Sequence, residues 1–429
     1  MLQTLRNAWK IEDLRKKLIY TMFILFIVRL GSAIPVPFLD PTALQAMLNS
    51  GGNLLGYLDV LTGGALGNAT LLALSISPYI TSSIVIQLLT VAIPALERLA
   101  KSGEDGQKKI KKITRYTTVA LAVLQAFAFY TMFRNLYGAV KYTEGFAGIL
   151  AAVTIVSAFT AGAMLVVWLG ERIDAKGIGN GISLILFVGI VSRGPGAIYR
   201  LIAENIPRGP QYYILVPLVG VLFIALIGFI VVMNNAERRI PVQYAKKVVG
   251  RKMYGGQSSF IPIKVNMSGV LPVIFASTFL SIPGTIKGFV DPNGTSTLGK
   301  VLSMFDYNTW VYAVLYFFLI IGFNYFYIAI QYNPVEMANN IRKNNGAIPG
   351  IRPGKPTSDF ITKIISKVTL VGALMLAVIA ILPIILGAIA SMNIALGGTS
   401  IIILVGVALD TVRSLESQMM MRHYKGFLE

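Results

Sequence analysis

The 429-residue chain contains no cysteine, which excludes disulfide cross-links, thiolate metal sites and cysteine nucleophiles. Its one histidine, His423, lies in the polar C-terminal tail, so zinc and acid–base chemistry built on imidazole has almost nothing to draw on. Charge is scarce too: 13% of residues are charged, where soluble chains average about a quarter. A cleavable leader is not apparent, because the first apolar stretch is long and lacks a small-residue cleavage site. What the chain has instead is apolar surface: 55% hydrophobic residues and a mean hydropathy of +0.68. No water-soluble globule has that balance.

Apolar stretches recur between short charged clusters, each long enough to cross about 30 Å of hydrocarbon at about 1.5 Å per residue. The pattern predicts an all-α polytopic membrane protein of about ten spans, near 18–37, 71–93, 116–136, 148–169, 181–201, 212–233, 268–286, 309–330, 364–386 and 396–413. The net charge of +19 sorts by side. Of 38 Lys and Arg residues, all but Arg29, Arg134, Lys141, Arg193, Arg200, Arg208, Lys287 and Lys300 fall on the side that holds both termini. By the positive-inside rule that side is the cytoplasm. Residues 1–17 then form a cytoplasmic amphipathic segment and 414–429 a cytoplasmic tail. Five spans over 18–205 followed by five over 206–413 reverse the orientation of the second half, the arithmetic of an inverted repeat around a central pathway.

Ion-coupled transporters need ionisable groups at depth, and here such groups are few. Arg29, Arg134, Arg200 and Asp410 sit toward helix ends, where long basic side chains snorkel to the interface. No span carries a mid-depth carboxylate. Polarity at depth comes from Gln87, Asn324 and the group Ser75, Ser77, Thr81, Ser82 and Ser83. Hydrogen bonding between helices is the expected role of Asn324, and a groove lining that of the second-span cluster.

The stretch NLLGYLDVLTGGALGNATLLALSISPYITSSIVIQLLTVAI, from Asn53 to Ile93, begins with a part too short and too Gly-interrupted to span. Leu54 to Gly67 reads as a short re-entrant helix, shielded by protein or a water-filled cavity, or as an ordinary external loop. After Pro78, Ile80 and Ile84 share one helix face. The run TGGALGNATLLALSISPYITSSIVIQLLTV resembles the plug and second-helix signature of the SecY family, the central subunit of the Sec translocon. The resemblance continues at WLGERIDAKGIGNGISLILFVGIV, VNMSGVLPVIFASTF, YNPVEMANNIRKNNGAIPGIRPGKPT and GGTSIIILVGVALDTV, in order along essentially the whole chain. As a nucleotide loop GIGNG is a weak match, since it leads into a span.

The resemblance implies an hourglass channel whose halves part at a lateral gate. It places a ring of six aliphatic side chains at the waist: Ile80, Ile84, Leu186, Ile190, Ile274 and Ile403. The plug would run over 54–67, with Leu54, Leu55, Tyr57, Leu58, Val60, Leu61, Gly63, Gly64, Leu66 and Gly67. Gln87 and Asn266 are the candidate polar contacts of the gate. A narrow apolar waist suits such a task, because it excludes hydrated ions by dewetting while gripping no particular sequence.

Two loops on the basic side, 234–264 and 331–363, are longer than a connection requires. They serve either as topological anchors or as docking surfaces for anionic partners. The resemblance implies docking of the translating ribosome and the motor ATPase SecA at Arg238, Arg239, Lys246, Lys247, Arg251, Lys252, Arg352 and Lys355. It also implies SecE and SecG as small membrane neighbours, signal sequences and nascent polypeptides as cargo, and residence in the bacterial plasma membrane among its lipids. No cofactor or ATP site is expected, and no enzymatic activity. The competing readings are a secondary transporter of a small solute and an intramembrane enzyme. The second is disfavoured by the lack of His/Cys chemistry and paired carboxylates.

Overall fold

The computed structural model describes residues 2–50, 59, 63–244, 247–249, 252–254, 258–290, 296–306, 309–390 and 397–425. The first half contains α1 (Leu2–Lys10), α2 (Glu12–Gly31), α3 (Pro41–Ser50), α4 (Ser77–Ala92), α5 (Pro94–Lys101), α6 (Glu104–Tyr137), α7 (Gly145–Lys176) and α8 (Gly181–Asn205). A 3-10 turn at Ile206–Arg208 leads into α9 (Tyr212–Asn235), followed by α10 (Leu271–Val290), α11 (Thr297–Ser303), α12 (Trp310–Gln331), α13 (Pro334–Lys343), α14 (Lys355–Ala390) and α15 (Gly398–Lys425). Each of the ten expected spans overlaps a helix, namely α2, α4, α6, α7, α8, α9, α10, α12, α14 and α15, although α2 ends at Gly31, short of the expected 37. Seven of the described helices are long and apolar enough to cross a bilayer unaided, and α4 with α5 makes an eighth if the two count as one span bent by 103°. Helix α2 misses that test because Glu12, Asp13, Arg15, Lys16, Lys17 and Arg29 crowd its 20 residues.

The second span starts later than hydropathy suggests. Residues 71–76 are apolar except for Ser75, yet they form tight turns, with Ser75 at φ 47° and Ala69, just before them, at φ 52°. Pro78 explains where the helix begins, because proline lacks an amide hydrogen and fits only the first turn. The bend between α4 and α5 has the same origin one helix later. Ile93, which precedes Pro94, is extended at φ −109° and ψ 112°.

Three apolar cores organise the bundle. Helices α9, α10, α12, α14 and α15 share one, centred on Ile230, Tyr316, Ile320 and Leu376. A second joins α3, α6 and α7 to residues 66–74 through Leu44, Phe133, Ile155 and Phe159. The third bridges the halves, combining Ile24, Ile76, Val166, Ile173 and Ile190 with Ile403 and Val407 of α15. The junction is lopsided. Helices α8 and α9 both pack on α15, whereas α4 packs mainly on α6, α10 mainly on α12, and α4 and α10 touch only lightly.

The basic loops are not irregular. The first folds into β1 (Glu237–Tyr244), β2 (Lys247–Val249), β3 (Lys252–Tyr254) and β4 (Ser258–Lys264), and the second adds β5 (Gly346–Ala347). Strands β4, β1 and β5 form one antiparallel sheet, with Glu237 opposite Lys264, Gln243 opposite both Ser258 and Ala347, and Tyr244 opposite Gly346. Alternation along β1 turns Ile240 and Val242 inward. There they meet Ile263, Ile328, Ile341, Ile348, Ile361 and Ile365 in a core of their own. The all-α description therefore holds for the membrane body, and both basic loops belong to one folded unit beside it.

Candidate functional site

Five of the six ring candidates lie in the core that bridges the halves. Leu186, Ile190 and Ile403 are buried, and Ile80 and Ile274 pack against them half-buried. They come from α4, α8, α10 and α15, so no single half closes the site. Ile84 is buried at 8% exposure but stands outside this cluster. The register of α8 is set by the GIGNG turn. Asn180 caps the helix by accepting from the Ser183 amide at 3.0 Å, and Asp174 accepts from the Gly181 amide at 2.7 Å. A side chain at Gly181 would collide with the carbonyl of Gly170, so this glycine lets α7 and α8 pack closely.

Toward the end bearing the basic loops, the surroundings of the cluster turn polar. A cavity of about 360 Å³ is lined by Asp174, Asn180, Ser183, Asp410, Thr411 and Ser414. Thr411 lies eight residues beyond Ile403 along α15, about 12 Å at 1.5 Å per residue. A polar-lined cavity thus lies on the basic-loop side of the aliphatic cluster.

At the other end, Asp59 and residues 63–67 are the described part of the segment read as re-entrant. Its candidates Leu54, Leu55, Tyr57, Leu58, Val60 and Leu61 lie outside the described residues, while Gly63, Gly64, Leu66 and Gly67 are buried. Ala65, fully buried, joins the ring cluster itself. Gly63 and Gly64 adopt φ 67° and 88°, a conformation that favours glycine. Asp59, only 6% exposed, accepts from the Gly67 amide at 2.7 Å and pairs with Arg193 of α8. Arg29 donates to the Gly63 carbonyl at 3.1 Å instead of reaching a membrane surface as expected. Asp59 and Arg193 were not singled out from the sequence. The available signal was a lone carboxylate in a Gly/Leu-rich stretch whose own loop has no Lys or Arg, so that its counter-charge had to come from another element.

The two gate candidates are not joined. Asn266, buried at 8% exposure, donates to Asn234 Oδ1 at 2.8 Å, and its own Oδ1 has no hydrogen-bond partner among the described residues. Gln87 is half-buried on α4. Asn324 does bridge helices, accepting from Ser268 at 2.5 Å and donating to the Thr369 carbonyl at 3.4 Å. Ser82 likewise ties α4 to α6 through the Thr114 carbonyl at 2.8 Å.

Among the docking candidates, Arg238 and Arg239 are exposed on β1. Arg239 stacks 4.7 Å over the Phe260 ring and pairs with Glu237 at 2.7 Å. Arg352 is exposed on a turn between Gly350 and Gly354, where its carbonyl accepts from Thr357 at 2.9 Å, and Lys355 is exposed at the start of α14. Lys246 and Arg251 lie outside the described residues, as do the side chains of Lys247 and Lys252.

Comparison with known proteins fits this geometry. The SecY family model matches residues 70–412. Protein translocase subunit SecY of Streptomyces coelicolor is 43% identical, and that of Mycobacterium tuberculosis 41%, each over the full length of both chains. A solved protein-conducting channel superposes with a TM-score of 0.64 at 18% identity, covering 94% of this chain and 92% of its own. Sec61 from a canine ribosome–channel complex does so at 0.59 and 17% over the same shares, which shows a common fold. With a family model over most of its length and full-length relatives above 40% identity, the chain belongs to the SecY family.

Proposed function

We propose that this chain is the central, pore-forming subunit of a channel that moves unfolded secretory polypeptides across the bacterial plasma membrane and releases hydrophobic segments sideways into lipid. One observation carries the reading. Aliphatic side chains from both halves meet in one cluster, with a polar-lined cavity on one side and the buried Gly63 and Gly64 on the other. Such a waist resists hydrated ions yet can yield to a threading chain, because rotating an aliphatic side chain breaks no hydrogen bond.

The lightly packed α4–α10 seam suits a lateral gate, and α8, α9 and α15 suit the hinge opposite it. Both termini and the sheet-bearing loops face the cytoplasm in this reading, following the charge bias. The exposed basic groups of that unit would engage the ribosome and SecA, the sources of driving energy, and SecE and SecG would cover lipid-facing helices. The chain itself performs no catalysis. A solute transporter is the weaker reading, since Asp59, the buried carboxylate among the described residues, is already matched by arginine. The test is site-specific crosslinking from position 274 to a stalled secretory chain in membranes. Adducts at 274, and none from the lipid-facing Ile214 (75% exposed), are expected. Equal labelling at both positions would refute the assignment of the waist.

A further inference from the structure

Asp59, Arg193 and Arg29 form a charged site within an otherwise apolar region, and neither the waist nor the docking surfaces use it. Gly63 and Gly64 of the re-entrant segment lie against the two arginines. A Cβ built on Gly63 would come within 2.6 Å of Arg29 Nη1, and one built on Gly64 within 2.6 Å of the Arg193 guanidinium carbon. Contacts to adjacent residues thus place the two like charges in the same neighbourhood. Arg193 ends on the Asp59 carboxylate, and Arg29 on the Gly63 carbonyl four residues later. The opposite edge of that carboxylate is held by the Gly67 amide, and the Asp59 carbonyl accepts from the Gly64 amide at 2.8 Å. One acidic side chain therefore closes the turn and also neutralises Arg193, while Arg29 is held by a backbone carbonyl.

We propose that Asp59 and Arg193 form an ionic latch, seconded by Arg29, that holds the re-entrant segment against the waist in the resting channel. The proposal deepens the channel reading and rests on it. Its physical basis is an asymmetry. A buried ion pair contributes little when whole, but losing one partner strands an uncompensated charge and costs far more. Withdrawing the segment exposes both arginines together, so the closed position is favoured by charge neutralisation as well as by the burial of Ala65 and Leu66. Apolar contact alone would hold the segment in many slightly different poses, whereas the guanidinium–carboxylate pair fixes one.

The test uses the full chain with its membrane partners, reconstituted into planar bilayers, and reads resting ion conductance. Asp59→Asn preserves shape and removes the charge. It and Arg193→Gln are each expected to raise conductance about tenfold or more. The double variant should leak no more than the leakier single one, because both remove the same interaction. Exchanging the charges, Asp59→Arg with Arg193→Asp, should bring conductance back toward the wild-type value. Single variants as tight as wild type, in bilayers where Ile274→Asn leaks, would overturn the latch and leave the channel standing. Effects that simply add in the double variant would overturn it as well. If Ile274→Asn and the latch variants all stay tight, and wild type conducts nothing with a chain arrested in transit, the channel reading falls and the latch with it.

Discussion

Replacing Ile403 with asparagine tests the waist most directly. Ile403 is 2% exposed and packs among Leu186, Ile190 and Ala65. Losing its burial removes about 1.5–3 kcal/mol, and an amide without a partner at that place adds about 1–3 kcal/mol. Both penalties fall on the sealed state, since an opened waist is wet and solvates the amide. A differential of about 3 kcal/mol corresponds to roughly a hundredfold shift toward conducting states, at about 1.4 kcal/mol per factor of ten. Single-channel recording in planar bilayers reads that shift as open probability without substrate. Leu376→Ala is the matched control. Leu376 is fully buried in the core of the second half, where truncation costs about 2–5 kcal/mol. That core does not line the waist, so the channel should be less stable and still tight. An Ile403→Asn channel that folds, reaches the bilayer and conducts no more than wild type would refute the reasoning. So would a Leu376→Ala channel that leaks equally.

Two further perturbations address the structure around the waist. At Gly346 a Cβ would lie 2.9 Å from the Tyr244 ring and 3.0 Å from Ile341, so Gly346→Val should unpair β5 from β1. Hydrogen exchange along 237–244 should rise and ribosome binding weaken while resting conductance stays at the wild-type value, and unchanged protection would count against the sheet as the link between the loops. Asn324→Ala leaves the buried Ser268 hydroxyl without its acceptor. A loss of about 1–3 kcal/mol is expected in thermal or denaturant unfolding of the purified protein, and full stability would show that the bridge contributes nothing.

The ten helices were legible because a bilayer imposes a length and a polarity that hydropathy reports directly. Where the reading missed, a local rule outranked the window average. The apolar run 71–76 looks helical until Pro78 is read as a first-turn residue, which moves the start of α4 to Ser77. The basic loops were read for charge alone, yet ERRIPVQY carries the period of two that buries Ile240 and Val242. The waist was reached through family resemblance, since an isoleucine on a membrane helix has no individual signature. Its partners across the halves depend on packing that sequence spacing does not encode, as Ile84 illustrates by standing apart from Ile80. The Asp59–Arg193 pair was hidden by distance along the chain, because 134 positions separate its members.

Helices α12 and α14 run without interruption from the core of the basic-side sheet, where they place Ile328, Ile361 and Ile365, to the core of the second half, where they place Tyr316, Ile320 and Leu376. At about 1.5 Å per residue the 36 residues of α14 make a rod of roughly 54 Å. A load applied to the arginine-bearing turn at 352 meets no slack linker before it reaches α12, the principal neighbour of α10. The unit on the basic face is thus the handle of a lever. In the channel proposed above, a partner gripping it would pull through α14 and α12 on α10, which borders the proposed gate.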